Sequence, residues 1–372
     1  MFETQFITDL EQFKNLREEW NRLLQRSYAN TIFLTWEWLY AWWEVFGAGG
    51  KLFIVVVRDQ SGMLVGLAPL FIRKTRYYKF PVREMAFIGM GLSDRQDFII
   101  SGENINIIDE IISKIHENIG KWDIVCLEQI PDDSLLAKKE FTKYFLPEIE
   151  LSSLCPFIKL EGNWETYFKS IKRDFRTEIR NRIKKLNGIG NWEFKVDRKP
   201  IDVEMLINSI KDIEQRSRKM EIEKDLLSSF KNRAFLSKVC NFCTENNWLD
   251  FSTLRIAGKL VAYSLGFIYN ETHYGYNTAY DKEFFKLSPG KIVINEKIKW
   301  FFENKYIIKV FDFSRGDSQV KCEWTSAKRR HLRIVFFNKS FYTNLIRLAV
   351  FRIRPLIKRF MKKGNMTSND QN

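Results

Sequence analysis

Between Tyr274 and Lys321 the chain gathers residues suited to moving a proton or holding an anion. Tyr274, Tyr276, Asn277 and Asp281 fall in the strand pair YNETHYGYNTAYD. Ser288-Pro289-Gly290-Lys291 follows, and Asp312, Arg315, Asp317 and Lys321 come next in FDFSRGDSQVK. A carboxylate at a strand end, Asp281, Asp312 or Asp317, can take a proton from an incoming amine or hydroxyl, while Tyr276 or a backbone N–H can steady an oxyanion. Arg315 and Lys321 suit phosphate oxygens. Pro289 biases Ser288 away from helical geometry, yet Ile292, Ile294, Ile298, Phe301 and Phe302 recur at helical spacing, so a helix starts here with its first amides unpaired. Such a start is partially positive and suits a phosphate or pyrophosphate, with Ser288, Gly290 and Lys291 nearest to it. Taken singly, each of these side chains reads equally as a surface ion pair or a turn residue, Asp312 above all as a loop anchor.

Other chemistries lack their residues. The three histidines, His116, His273 and His331, stand in no HExxH; GxSxG and Walker A patterns are absent, which argues against zinc hydrolases, serine hydrolases and P-loop NTPases. Five cysteines form no paired framework. Cys240 and Cys243 make one CxxC in a helical stretch, without the further ligands that a zinc site needs, so they are expected in a core and no metal is expected. The net charge of +14 is uneven: Lys328 to Asn372 holds twelve Lys or Arg and one acid, Asp370, and the rest of the chain is nearly neutral. A DNA-binding reading of the whole protein is therefore weak. No run is long and apolar enough to span a bilayer, and no secretory leader is read at the start, so a cytoplasmic location is expected.

The elements that must position these residues read as a mixed α/β chain. Phe2–Arg26 gives a strand and a helix, and FLTWEWLYAWWEVF at 33–46 is an aromatic segment that reads as a pocket wall or as core. A hairpin turns at Asp59–Gly62, further strands lie within 84–101, a helix within 107–119 and a buried strand within 122–127. The polar stretch 131–156 reads as a connection. One helix is expected over 164–186, with an apolar stripe and cations elsewhere, then helices over 202–219 and 225–246. The order of hairpin, helix and strand then repeats: Arg58 to Ile72 matches Arg255 to Ile268, followed by helices 107–119 and 290–304 and strands 122–127 and 307–313, which points to duplication. Phe336–Met361 reads either as an interfacial helix on anionic lipid or as a docked helix with a basic end.

FLTWEWLYAWWEVFG, GLAPLFIRK, GYNTAYDKEFFKLSPGKIVINEKIKWFFE and FDFSRGDSQVKCEWT resemble the GNAT-fold acyltransferases associated with cellulose biosynthesis, relatives of the FemAB peptidyltransferases, which carry two GNAT units in tandem. The resemblance runs from about residue 2 to 335 and is strongest over 255–324. It implies two GNAT-like α/β domains, 1–150 degenerate and 151–335 holding the donor site, with 336–372 a basic tail. It also implies acyl transfer, acetyl first among the groups, from acetyl-CoA or another acyl-CoA to an amine or hydroxyl of a small-molecule or glycan acceptor. Sugars, polysaccharides and cell-envelope precursors are the acceptors in view, with the protein in the cytoplasm and its tail on the inner membrane face. Two alternatives stand beside it: FemAB-like transfer from aminoacyl-tRNA, to which the basic helix 169–185 would suit, and a non-catalytic module of a polysaccharide biosynthesis complex. KLSPGK replaces the usual phosphate loop Q/RxxGxG/A, keeping the helix start with fewer glycines.

Overall fold

The computed structural model describes residues 2–141, 144–200, 202–217, 227, 229–304 and 308–355. They form two compact units. The first holds the described residues up to Asn30, Gly47–Ser152 and those from His331 on; the second holds Thr31–Phe46 and Ser153–Arg330. Neither unit is one continuous stretch.

In the first unit a mixed sheet runs in the order Lys328–Phe337, Ile124–Pro131, Phe80–Phe87, Leu70–Tyr77, Lys51–Leu52. Only the pair of 124–131 with 80–87 is parallel, through Glu84↔Ile124, Met85↔Val125 and Ala86↔Cys126. A four-stranded antiparallel sheet, Glu3–Ile7, Ile54–Arg58, Leu64–Ala68 and Ile99–Ile100, lies in the same unit. The helix Ile105–Glu117 is capped by Asn104, and Ile107, Ile108, Ile111, Ile112 and Ile115, spaced three or four apart, are all buried in the core with Trp122 and Phe336. The helix sits close to the hairpin because residue 66 has no side chain. A Cβ on Gly66 would fall 2.2 Å from Cγ2 of Ile107 and 3.2 Å from Cβ of Val57. Gly66→Ala is expected to destabilise the protein by about 1–3 kcal/mol through overpacking, read by urea unfolding.

Numbering the elements of the second unit that bear on its site, α1 is Arg173–Ile189, β1 Leu249–Ile256, β2 Lys259–Tyr269, β3 Thr272–Tyr280, α2 Pro289–Glu303 and β4 Val310–Asp312. Its strands run in the order Trp192–Asp197, β1, β2, β3, β4, Glu148–Lys159, antiparallel except for β3 with β4. The aromatic segment is core: Trp38 meets Phe235, Phe267 and Tyr276 edge-on, with ring centroids 5.3–5.5 Å apart. Cys240 and Cys243 are buried in the helix Phe230–Glu245, and burial pushes the Cys240 thiol up to about 12.

Three expectations change. The stretch 131–156 is more than a connection, since the strand Glu148–Lys159 runs through it; its outer half is solvent-facing, so polar residues hide the strand. The single helix over 164–186 is two, Trp164–Ser170 and α1, broken where Ile171 is extended. The break is stabilised because the carbonyls it strands find donors: Ser170 Oγ donates to Tyr167 O at 2.6 Å, and Arg176 donates to the carbonyls of Lys169 and Ile171. The apolar stripe continues across it through Phe168, Ile171, Phe175 and Ile179, all buried. The strand expected over 307–313 is three residues long as β4, residue 307 lying outside the described residues. The helices expected over 202–219 and 225–246 are Val203–Gln215 and Phe230–Glu245; residues 218–219 and 225–226 lie outside the described ones.

Candidate active site

β3 and β4 run parallel but pair only through Thr272↔Val310, His273↔Phe311 and Tyr274↔Asp312. Beyond Tyr274, β3 continues to Tyr280 while β4 ends, and the strands part. A cleft of about 530 Å³ opens in this wedge. Gly275 to Thr278 of β3 form one wall, and Phe311, Phe313 and Trp324 form an apolar wall opposite. The start of α2 forms its end through Ser288, Gly290 and Lys291.

The local sequence explains that end. Asp281 caps the short 3₁₀ helix Lys282–Leu287, and Ser288 then turns left-handed at φ +52°, ψ +52°, its N–H donating to Phe285 O at 3.0 Å. Pro289 begins α2, and the Ser288 side chain does not cap it. A serine in that conformation carries strain on the order of 1–3 kcal/mol, a cost that recurs at functional turns. Gly290 is tight against the wall: a Cβ there would sit 3.1 Å from the Tyr280 ring.

Lys291 is held at 3.0 Å from Glu178 of α1 and 2.9 Å from Glu323, with the Phe175 ring 5.0 Å below its ammonium. Burial would lower its pKa, but the two carboxylates raise it above the usual lysine value. Lys321 borders the cleft from the other side and donates to the carbonyls of Phe313 at 2.7 Å, Ser314 at 3.4 Å and Arg315 at 2.7 Å, which fixes the loop after β4. Asn277 lines the cleft and reaches inward, its Nδ2 donating to Glu214 Oε1 at 2.7 Å and to Tyr263 Oη at 2.8 Å. Glu214 also accepts from Tyr263 Oη at 3.0 Å and from Leu227 N at 3.0 Å.

The structure therefore brings Tyr276, Ser288, Gly290, Lys291 and Lys321 of the expected site residues to one cleft. The three aspartates and Arg315 are not among its lining. Asp281 is buried and pairs with Arg216, and with Lys259 at 3.2 Å. Burial alone would raise its pKa; the N–H of Glu283 and these cations hold it below the usual carboxylate range. Asp312 accepts from Ser314 N at 2.8 Å and pairs with Arg329, which lies 4.1 Å over Phe157. It anchors the loop. Asp317 is exposed and 3.0 Å from Lys328, which lowers its pKa. No carboxylate or imidazole is among the described residues lining the cleft.

Residues the sequence did not single out lie under the cleft. Lys297 of α2 is fully buried, its ammonium 2.6 Å from Asp250 Oδ2 and donating to Ser264 O at 2.9 Å. His273 Nε2 lies 2.9 Å from the same Asp250 oxygen, and its ring stacks on Phe311 at 4.3 Å. The available signal was position: Val293, Lys297 and Phe301, four apart, share the buried face of α2.

In the first unit Gln96 occupies the corresponding place. Where strand 80–87 leaves strand 124–131, Gln96 bridges them, its N–H donating to Gln129 O at 2.9 Å and its Nε2 to Ile88 O at 2.8 Å. The helix that follows begins with the Asn104 side chain already capping it.

Residues 173–322, which hold most of this cleft's lining, match the family model described as an acetyltransferase (GNAT) domain. Residues 173–322 thus carry a GNAT acetyltransferase-type domain, and the chain has a tandem GNAT fold. Among solved structures it is similar to FemX, with 10% identity, 94% of this chain and 99% of that chain covered and a TM-score of 0.59. It is similar also to L-PGS from Bacillus licheniformis, at 12% identity, 92% and 96% coverage and a TM-score of 0.54. A tandem GNAT protein from the clavulanic acid biosynthesis pathway aligns at 9% identity, 91% and 99% coverage and a TM-score of 0.50. At these identities the likeness is one of fold. No curated protein sequence matches the chain.

Proposed function

We propose that the second unit transfers an acyl group, acetyl first among them, from acyl-CoA to an amine or hydroxyl of a sugar, polysaccharide or cell-envelope precursor, in the manner of the cellulose-biosynthesis acetyltransferases. The cleft between the parting β3 and β4, closed at one end by an α2 start that the Ser288 side chain leaves uncapped, is the observation that carries this reading. A CoA thioester has the matching parts, an anionic pyrophosphate for a helix start and a long arm for a narrow wedge. The Gly290 amide, Ser288, Lys291 and Lys321 would hold the phosphates. In the transfer, the acceptor nitrogen or oxygen bonds to the thioester carbon, the carbon–sulfur bond breaks, and the acceptor's proton ends on the departing sulfur. Tyr276, on the cleft wall, is the O–H donor we assign to the oxyanion. Asp281, Asp312, Asp317 and Arg315 we assign to the loops that hold these groups in place.

A second reading, transfer from aminoacyl-tRNA, is favoured by the exposed Lys172, Arg173, Arg180, Lys184 and Lys185 on and before α1, whose Glu178 contacts Lys291. A third is a non-catalytic module of a polysaccharide biosynthesis complex. Calorimetric titration of the full chain with acetyl-CoA and with CoA separates them. Saturable binding of both is expected. Binding of neither, with retention of aminoacyl-tRNA on a filter, would replace the first reading by the second, and binding of none of the three would leave the module.

A further inference from the structure

The helix Phe341–Leu348 has two apolar faces, and among the described residues the first unit uses only one. Ser340 caps the helix, accepting from Thr343 N. Ile346, with Val350 in the turn that follows, packs into a core with Val82, Ile124, Val335 and Phe337. Phe341, Leu345 and Leu348 recur at i, i+4 and i+7 on a different face, where they are 79%, 47% and 49% exposed. Three large apolar side chains side by side in water mark a contact surface more often than chance. Cations lie close by in the sequence: Lys339, Arg352 and Arg354 are exposed, Arg352 3.7 Å from Glu148 and Arg354 4.3 Å over the ring of Tyr78. From Lys339 to Asn372 the sequence holds eight Lys or Arg against Asp370 alone.

We propose that this face docks on a membrane surface rich in anionic lipid, with Phe341, Leu345 and Leu348 entering the headgroup region and the nearby Lys and Arg meeting lipid phosphates. The pairing of the two features selects the partner. A polynucleotide would match the charge but offers little to two leucines, and a second copy of the chain would match the leucines but bring the same positive charge against them. Among the described residues no helix is long and apolar enough to cross a membrane, so the contact is interfacial. It does not depend on the acyl-transfer reading.

Co-sedimentation of the full chain with phosphatidylcholine vesicles, with and without phosphatidylglycerol, tests it beside a Phe341→Ser, Leu345→Ser, Leu348→Ser variant. All three positions face solvent, so the variant should melt with the wild type. Partitioning onto the anionic vesicles only, reduced at least about tenfold in the variant and weakened by salt, is expected. A wild type that ignores anionic vesicles, or a variant that binds them equally well, would overturn the proposal. So would a vesicle-free dimer or an RNA complex that the variant loses in place of vesicle binding. Should the triple variant melt early, Phe341→Ser alone, at the most exposed position, carries the same comparison.

Discussion

Replacing Lys297 with Met is expected to destabilise the second unit by roughly 3–5 kcal/mol, because it leaves the Asp250 carboxylate buried without its cation. The geometry supports an ionised pair. Asp250 is fully buried, which alone would raise its pKa, yet the ammonium at 2.6 Å and the imidazole at 2.9 Å hold it well below the usual carboxylate range. Burial pulls the Lys297 pKa down and Asp250 opposes it. A chemical melt reads the loss, and adding Asp250→Leu to Lys297→Met should recover part of it, since the orphaned charge then goes too. The same cluster sets an acid limit. Burial depresses the His273 pKa to about 4; the hydrogen bond to Asp250 opposes this and the charge of Lys297 adds to it. With a free-chain value near 6.5, the unfolded state binds the extra proton first. His273 therefore contributes stability that is complete above about pH 6.5 and is lost as pH falls through about 4, a span worth about 3 kcal/mol. A pH series of urea midpoints that stayed flat between 6.5 and 4 would contradict this account of the cluster.

Gly290→Trp is expected to weaken acetyl-CoA binding at least a hundredfold, or about 2.7 kcal/mol. The position tolerates little: even a methyl group would press on Tyr280 at 3.1 Å. An indole has no room toward β3, so it must turn into the cleft or across the start of α2. Either course removes the surface assigned to the pyrophosphate. Gly290 is itself only half-buried and its backbone needs no left-handed residue at that position, so the melting temperature should fall less than in Lys297→Met. Calorimetry and a melt on the same sample separate the two effects. Unchanged affinity in a folded variant would move the phosphates elsewhere.

How much of this could be read from residues alone depended on distance along the chain. The α2 start was legible because its signals are local: Ser-Pro-Gly, then apolar residues at helical spacing. The clustering of Tyr276, Ser288, Gly290, Lys291 and Lys321 followed from the same stretch, since strand, turn and helix are consecutive. The partners of the aspartates were not legible. Asp281 meets Arg216 and Lys259, and Asp312 meets Arg329, across separations that no spacing rule covers. Asp250 and Lys297 escaped notice, and His273 was read only as a lone histidine outside any motif: a Lys among polar neighbours on a helix reads as surface, although its spacing from Val293 and Phe301 sets it on the inward face. The break at Ile171 was hidden because the apolar stripe continues through it, so the period gave no sign of an extended residue.

The pairing of Ile124–Pro131 with Lys328–Phe337 has a consequence for how the chain is born. Translation runs from one end to the other, and a strand edge left without its neighbour is exposed until that neighbour leaves the ribosome. About 200 residues separate the two strands, which at ordinary elongation rates is roughly 10–40 s. During that interval the first unit has most of its core residues but not its closing strand, while the second unit can be completed as it emerges. The sheet of the first unit is thus completed only after the strands of the second have been made.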